Sequence, residues 1–185
     1  METIKTHIDM NQNITSIIDN CNIQTAFNRI LKYYDPNKAK NRKTRVLDCS
    51  SFFSWTEEDY RLFDVTKTRN LYGSIKRNRY DIIVYEPPNN ESFFTNAVES
   101  SKIFSRIINI GGNIIVKIKN FKSKNDELKG TFDLKTIFES NKFYLHDQII
   151  YKNTPRQNRQ NYIKTDSVNA IVHLNFMIFK QKIPT

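Results

Sequence analysis

The sequence predicts an α/β fold in which a mostly parallel sheet is flanked by helices and closed by a C-terminal antiparallel hairpin. Short apolar runs alternate with segments of helical periodicity, an alternation typical of strand–helix layers. The runs over residues 81–85, 113–118 and 148–151 are apolar almost throughout, which favours strands covered on both faces. The last two strand segments are separated by residues 152–169, which have no helical periodicity, so we expect a hairpin there.

The length and composition fit one compact domain. The chain has 185 residues, of which 38% are hydrophobic. We expect residues 21–185 to form a single domain, preceded by an arm or a short helix over residues 1–20, where isoleucines have a weak helical spacing. No window approaches the roughly 18 apolar residues of a membrane-spanning helix, and the first residues lack a signal-peptide pattern. The expected location is therefore intracellular, in the cytoplasm or in the nucleus or nucleoid, without a membrane partner.

The charge balance favours a polyanionic partner. Lysine and arginine total 29 against 19 acidic residues, which gives a net charge of +10 at pH 7. Nucleic acid is the expected partner, although a proteome rich in Lys, Asn and Ile would produce the same excess. The two cysteines, Cys21 and Cys49, and the lack of a Cys/His cluster argue against a disulfide scaffold and a structural zinc site.

The first half of the chain begins with a predicted helix over residues 22–34, where apolar residues recur at intervals of three and four. Pro36 ends this helix because the residue before a proline avoids the helical region. The segment NKAKNRKT, residues 37–44, is a short basic loop with little apolar content. Strands are then expected at residues 45–49, 60–65 and 81–85, and Pro87 and Pro88 end the last of them abruptly.

The second half is expected to begin with a helix over residues 92–108 that Gly111 and Gly112 terminate. The elements expected after it are a strand at 114–118, a lysine-rich loop at 119–130, a helix at 131–141, a strand at 144–151, a basic stretch at 152–167 and a final strand at 170–179.

The segment DIIVYEPPNN, residues 81–90, carries the sharpest functional signal. Ligands of open parallel sheets bind at the carboxyl ends of the strands, so we expect the strand ends at Asp48 and Tyr85 side by side in a cleft. The segment resembles the catalytic motif of class I S-adenosylmethionine-dependent methyltransferases that modify exocyclic amines, in which Asp, Asn or Ser precedes Pro-Pro and an aromatic residue. The resemblance implies catalytic roles for Glu86, Pro87, Pro88 and Asn89.

Such a motif suits a weakly nucleophilic amine, whose lone pair is delocalised into the base. A side-chain oxygen and a backbone carbonyl held by the prolines can accept its N–H bonds, and an aromatic residue stacks on the extruded base.

Other segments resemble the same family in the same order, and together they span roughly residues 24–181. The segments are KYYDPNKAKNRKTRVLDC, LFDVT, GGNIIVKIKNF and FYLHDQIIYKN followed by a basic loop and VHLNFMIFKQ. The resemblance implies a Rossmann-like fold with S-adenosylmethionine as the cofactor. The residues that it places beside the cofactor are Asp48, Cys49, Ser50, Phe52 and Asp64.

Three positions depart from the family pattern. The segment CSSFFSW, residues 49–55, stands where the family has a glycine-containing turn that allows close backbone approach to the cofactor. Glu86 is one methylene longer than the usual Asp, and Asn89 replaces the aromatic residue. The non-catalytic partner in the eukaryotic messenger-RNA adenosine methyltransferase also carries Glu-Pro-Pro. A second hypothesis is therefore an inactive methyltransferase-fold subunit that binds nucleic acid or a catalytic partner.

Several of these residues also have purely structural interpretations. Glu86 and its prolines are also explained as the end of a strand, Asp48 as the cap of the following turn, and Phe52 as a core aromatic residue. His146 and His173 lie within apolar strands and are interpreted as sheet residues.

Two basic segments are candidates for nucleic-acid contact. The lysines from Lys117 to Lys129 are interpreted as a mobile solvated surface, whereas the later segment combines cations with amides that can reach base edges. The predicted contact residues are Lys152, Arg156, Arg159, Tyr162 and Lys164. The sequence thus predicts methylation of an exocyclic amine of adenine or cytosine, in DNA rather than RNA, and it leaves homo- or hetero-oligomers open.

Overall fold

The computed structural model describes residues 6–7, 15–19, 22–40, 42–68, 71, 79–88, 92–118, 124–153 and 172–182. Within these residues eight strands form one sheet in the order β1-β2-β7-β8-β6-β5-β3-β4. The strands are β1 Thr6–His7, β2 Thr15–Asp19, β3 Thr44–Cys49, β4 Phe63–Lys67, β5 Tyr80–Tyr85, β6 Ile108–Ile118, β7 Phe143–Asn153 and β8 Val172–Gln181. The helices are α1 Ile23–Tyr33, α2 Glu57–Leu62, α3 Phe93–Ile107 and α4 Lys124–Ser140.

The strand directions confirm the predicted mixed sheet. β3 pairs in parallel with both β4 and β5, β5 with β6, and β2 with β7. β8 lies between β6 and β7 and is antiparallel to both, so β7 and β8 form the expected antiparallel hairpin. The hairpin does not close the sheet, because β2 and β1 continue it beyond β7.

Both faces of the central strands are covered. α3 and α4 pack on one face against alternate strand residues such as Ile83 and Ile114. α1 packs on the other face against intervening residues such as Ile82 and Ile115. These four isoleucines are fully buried, which explains why their strands are apolar throughout.

A buried carboxylate joins the amino ends of the central strands. Asp81, the second residue of β5, accepts hydrogen bonds from Arg42 Nη2 at 3.1 Å and Asn109 Nδ2 at 2.8 Å on one oxygen. Its other oxygen accepts the backbone N–H of Arg45, in β3, at 3.0 Å. Asp81 therefore links β5 to the loop before β3 and to the start of β6.

The structure corrects the prediction for residues 1–20. Where residues of this segment are described they form strands β1 and β2, not a helix. β2 pairs with β7, and the register joins Thr15 to Gln148. A partner so far away in sequence overrides the weak helical spacing of the isoleucines.

The strand predicted over residues 60–65 is also wrong at its start. α2 covers Glu57–Leu62, and β4 begins only at Phe63. A capping box starts the helix: the Thr56 side chain accepts from the Asp59 N–H at 3.3 Å, and Asp59 accepts the Thr56 N–H at 2.8 Å.

Gly111 and Gly112 do not terminate the preceding helix. α3 ends at Ile107, and both glycines lie inside β6, beside a register irregularity against β5. Gly111 has φ +78°, and a Cβ added to Gly112 would lie 2.8 Å from the backbone oxygen of Asp81. Gly112 therefore allows a close approach of β5 and β6, whereas Gly111 supplies the positive φ.

The bounds of α4, β7 and β8 also differ from the prediction. α4 begins at Lys124, inside the expected lysine-rich loop, and continues through the predicted helix to Ser140. β7 extends beyond the expected strand at both ends, and β8 ends at Gln181, two residues later than expected. Ala170, the predicted start of the last strand, lies outside the described residues.

The Gly112→Ala variant tests the close approach. We expect it to lower the free energy of unfolding by about 2–3 kcal/mol, because backbone oxygens on two sides leave no room for a methyl group. Urea unfolding followed by circular dichroism measures the change. Gly111→Asn is the control, since that site is open and Asn tolerates a positive φ; equal losses in both variants would contradict the explanation.

Candidate active site at the carboxyl edge of the sheet

The carboxyl ends of β3, β5 and β6 meet at one edge of the sheet. Cys49 of β3 is paired with Tyr85 of β5, and Tyr85 is paired with Val116 of β6. Glu86 and Lys117 each follow one residue later, so both lie at this edge. The prediction that the strand ends at Asp48 and Tyr85 are neighbours is confirmed.

Glu86 forms a buried ion pair with Lys117. The Lys117 Nζ lies 2.8 Å from Glu86 Oε1, and the two side chains are 7% and 3% exposed. Glu86 Oε2 accepts from the Ser51 hydroxyl at 3.0 Å. The ammonium group also lies 4.3 Å from the centre of the Phe52 ring, within cation–π range. Removing either partner would leave an uncompensated charge with little access to water.

Asp48 is bonded to the loop that follows it. Its Oδ1 accepts the Ser50 N–H at 2.9 Å and the Ser50 hydroxyl at 2.6 Å. Its Oδ2 accepts the Trp55 indole N–H at 2.7 Å, and the residue is 2% exposed. Asp48 therefore caps the turn that follows β3, as its structural interpretation predicts.

The loop over residues 50–56 is held by α1. Gln24 Nε2 donates to the Phe52 carbonyl at 2.8 Å, and the Ser54 N–H donates to Gln24 Oε1 at 3.0 Å. The rings of Phe52 and Phe53 lie 4.9 and 4.6 Å from that of Phe27 in α1. This loop reaches a fixed position through aromatic packing and an amide clamp instead of a glycine turn.

The remaining predicted site residues fall into three groups. Pro87 is buried and Pro88 half-buried directly after Glu86, whereas Asn89 lies outside the described residues. Cys49 is half-buried, and burial, with the nearby charge of Asp48, raises the pKa of its thiol. Asp64 is not brought to this edge.

Asp64 lies at the opposite, amino edge because β4 begins at Phe63. The strand register places it beside Arg45, three residues before Asp48, and the Arg45 Nε is 3.8 Å from its carboxylate. A strand starting earlier, as predicted, would have carried Asp64 toward the carboxyl edge of the sheet.

Lys117 is the site residue that sequence reasoning missed. The sequence predicts that it belongs to a mobile lysine surface, but it is buried within β6. Its position in NIIVKI could have identified it, because this strand is predicted to be covered on both faces. A single lysine in such a strand needs a buried partner for its charge. Among the neighbouring lysines, Lys119 and Lys122 lie outside the described residues.

The predicted nucleic-acid contacts remain a prediction. The backbone of Lys152 belongs to β7, and Arg156, Arg159, Tyr162 and Lys164 lie outside the described residues.

The histidines lie in strands, as expected for sheet residues. His146 lies in β7 and His173 in β8. Burial and the charge of Lys180 lower the pKa of His146. The centre of its ring lies 6.3 Å from that of Tyr34 in an edge-to-face arrangement. Neither belongs to the strands whose carboxyl ends carry Glu86 and Asp48.

Two further properties concern the described residues only. They contain no group of His, Cys, Asp and Glu side chains that could hold a metal ion. No helix among them is long and apolar enough to cross a bilayer.

Comparison with known proteins identifies the fold. No protein-family model matches the sequence, and no curated protein is significantly similar to it. A SAM-dependent methyltransferase from Methanosarcina mazei matches with a TM-score of 0.51 at 9% identity, over 84% of this chain and 98% of that one. This chain has the Rossmann-like methyltransferase fold.

Two other solved structures are similar at the same level. A proposed methyltransferase from Thermoplasma acidophilum has a TM-score of 0.50 at 9% identity, over 90% of this chain and 67% of that one. A proposed hemolysin from Streptococcus thermophilus has a TM-score of 0.50 at 9% identity, over 82% and 65%. The fold class predicted from the sequence is confirmed, while such low identity leaves the reaction to be argued from the site.

The Lys117→Met variant tests the buried ion pair. We expect a loss of about 3–5 kcal/mol in the free energy of unfolding, because Glu86 would remain buried without its counter-charge. The double variant Lys117→Met/Glu86→Gln should recover part of this loss. Lys32→Met, which removes an exposed 3.7 Å pair with Glu58, should cost no more than about 0.5 kcal/mol. Additive effects in the double variant would contradict direct coupling.

The raised pKa of the Cys49 thiol predicts slow alkylation. In a Cys21→Ser background at pH 8, native Cys49 should react with iodoacetamide at least about tenfold more slowly than the same variant in urea, since the thiolate is the reactive form. The rate should rise with pH throughout the accessible alkaline range. Equal native and denatured rates would show that burial does not suppress ionisation.

Proposed function

We propose that the protein is an S-adenosylmethionine-dependent methyltransferase that modifies an exocyclic amino group of adenine or cytosine in nucleic acid, with DNA favoured over RNA. The observation that carries the proposal is Glu86, a carboxylate held by Lys117 and Ser51 at the strand ends of a methyltransferase fold. The net charge of +10 supports a nucleic-acid substrate.

The charges at this edge fit the cofactor. Among the residues described at this edge, two carboxylates, Asp48 and Glu86, stand against one ammonium group, Lys117. This balance favours a cation, and the methyl donor is a sulfonium cation that supplies the methyl group to the amine. Phe52 adds a half-buried aromatic surface. In this proposal Asp48, Cys49, Ser50 and Phe52 border the cofactor, while Asp64 does not.

The ion pair explains how Glu86 can serve where the family has a shorter acid. Lys117 holds Oε1 at 2.8 Å, so the longer side chain is fixed in one direction. Oε2 accepts from the Ser51 hydroxyl at 3.0 Å and from the Ser51 N–H at 3.4 Å, and in this proposal the target amine takes the place of the hydroxyl. Accepting an N–H bond there favours a nitrogen lone pair directed at the methyl group.

The backbone after Glu86 supplies the second half of the site. Pro87 and Pro88 restrict the chain immediately after the acid, so that a carbonyl oxygen of this turn can accept the other N–H of the amine. Lys117 is a positioning residue in this scheme because it acts on the amine through Glu86.

A second candidate function is an inactive methyltransferase-fold subunit that binds nucleic acid or a catalytic partner. It is favoured by Asp48, both of whose oxygens accept bonds from Ser50 and Trp55 of its own loop. The lack of glycine in the loop over residues 50–56 supports it further.

Two measurements distinguish these functions. Calorimetric titration with S-adenosylmethionine should show one stoichiometric binding event, and labelled methyl should pass to single-stranded or duplex oligonucleotides. Glu86→Gln should lower kcat by at least about 100-fold, since a neutral amide is a weaker acceptor. The control Glu58→Gln lies on the exposed side of α2 and should leave activity unchanged.

The alternative gives the opposite result. Folded protein that binds no cofactor at millimolar concentration, or that transfers methyl only after a second protein is added, would reject catalysis by this chain alone and favour the inactive subunit.

A further inference from the structure

We propose that a basic groove at the amino edge of the sheet binds the phosphodiester backbone of single-stranded nucleic acid. The groove has a volume of about 450 Å³ and is lined by Arg42, Lys43, Arg45, Tyr60, Phe63 and Asp64. We call it the amino-edge groove. The inference goes beyond the proposed methyl transfer and does not depend on it.

The groove is separate from the candidate active site. It lies where β3 and β4 begin, because Thr44 is paired with Phe63 and Arg45 with Asp64. Asp48 comes three residues after Arg45 along β3, a distance of about 10 Å at the usual rise of a strand. Nucleic acid in the groove therefore contacts a different edge of the sheet.

Two of the groove's cations are placed to bind phosphate. Lys43 Nζ donates to the backbone oxygen of Tyr60 at 2.9 Å, a neutral acceptor that leaves the positive charge of the ammonium in place. Arg45 Nε lies 3.8 Å from the Asp64 carboxylate, and both side chains are solvent-accessible. A long, exposed ion pair of this kind contributes little binding free energy, so a phosphate can compete with Asp64 for Arg45.

Arg42 has a different role, because its hydrogen bonds hold the loop before β3 in place beside the groove. Its Nη2 binds the buried Asp81 at 3.1 Å, and its Nε donates to Asn37 Oδ1 at 3.0 Å. Asn37 Nδ2 also donates to Thr44 Oγ1 at 3.2 Å. These contacts tether both ends of the basic segment NKAKNRKT, which reduces the conformational entropy lost on binding.

The same segment extends the positive surface. Lys38 and Lys40 are exposed on it, and the Lys40 N–H donates to the Asn37 carbonyl at 2.7 Å in a turn. Several cations along one loop match the repeated negative charge of a nucleic-acid strand better than a single small anion.

An aromatic side chain beside these cations favours a single strand over a duplex. Tyr60 is 45% exposed, and the centre of its ring lies 6.4 Å from that of Trp55, at a tilt of 42°. Bases of a single strand stack on exposed aromatic rings while cations bind the neighbouring phosphates. Paired bases of a duplex cannot reach such a ring, so the groove's chemistry fits an unpaired segment.

Fluorescence anisotropy with a labelled 12-nucleotide strand, as DNA and as RNA, tests the groove. Replacing Lys43 and Arg45 by Gln should weaken binding and flatten the plot of log affinity against log salt by up to about 1.4, since each phosphate contact on a single strand contributes about 0.7. Lys102→Gln/Arg106→Gln on the exposed side of α3 removes the same charge and should have a clearly smaller effect. Equal effects of both pairs, or none from the groove pair, would overturn the proposal.

Two further variants keep the test decisive if the groove pair folds poorly. Asp64→Asn removes the acid that competes for Arg45 and should tighten binding, a gain that unfolding cannot produce; Asp133→Asn on α4 is its charge-matched control. Tyr60→Ser should weaken single-strand binding about five- to 100-fold without changing the salt slope. Tighter binding of the matching duplex than of the strand would overturn the proposed single-strand preference.

Discussion

The burial of β3, β5 and β6 on both faces is the constraint on which the rest of this structure depends. A strand covered by helices on both sides has no side-chain position that reaches water except at its ends. The carboxylates of the central strands accordingly lie at the ends: Asp81 at the amino edge, and Asp48 and Glu86 at the carboxyl edge. The fold thus creates two polar edges from one apolar sheet, and each edge has its own chemistry.

At the carboxyl edge, the cost of burying charge determines the geometry. Glu86 is paired there with Lys117, and the ion pair both compensates the buried charge of the acid and orients its carboxylate. Either candidate function must accommodate this arrangement. In an enzyme, the pair fixes the direction of the second carboxylate oxygen, Oε2; in an inactive subunit, the same pair is a structural bridge between β5 and β6.

Local patterns in the sequence were sufficient to predict the central strands and the sheet edge that carries the candidate site. The apolar runs predicted strands covered on both faces, and parallel pairing then placed Asp48 beside the end of β5. Errors arose where two short-range signals competed. The capping box at Thr56 starts a helix where the apolar residues predict a strand, so β4 begins later and Asp64 lies at its amino end. The Lys117 contact and the β2–β7 pairing depend on residues far apart in sequence, so no local pattern specifies them.

The pairing of β2 with β7 also determines the order in which the sheet can assemble. β2 is made early, but its partner residues, from Gln148 to Lys152, are synthesised more than a hundred residues later. During translation this strand has no native neighbour on that side until almost all of the sheet has emerged from the ribosome. Its short length limits the unpaired edge that it exposes to other chains in the meantime.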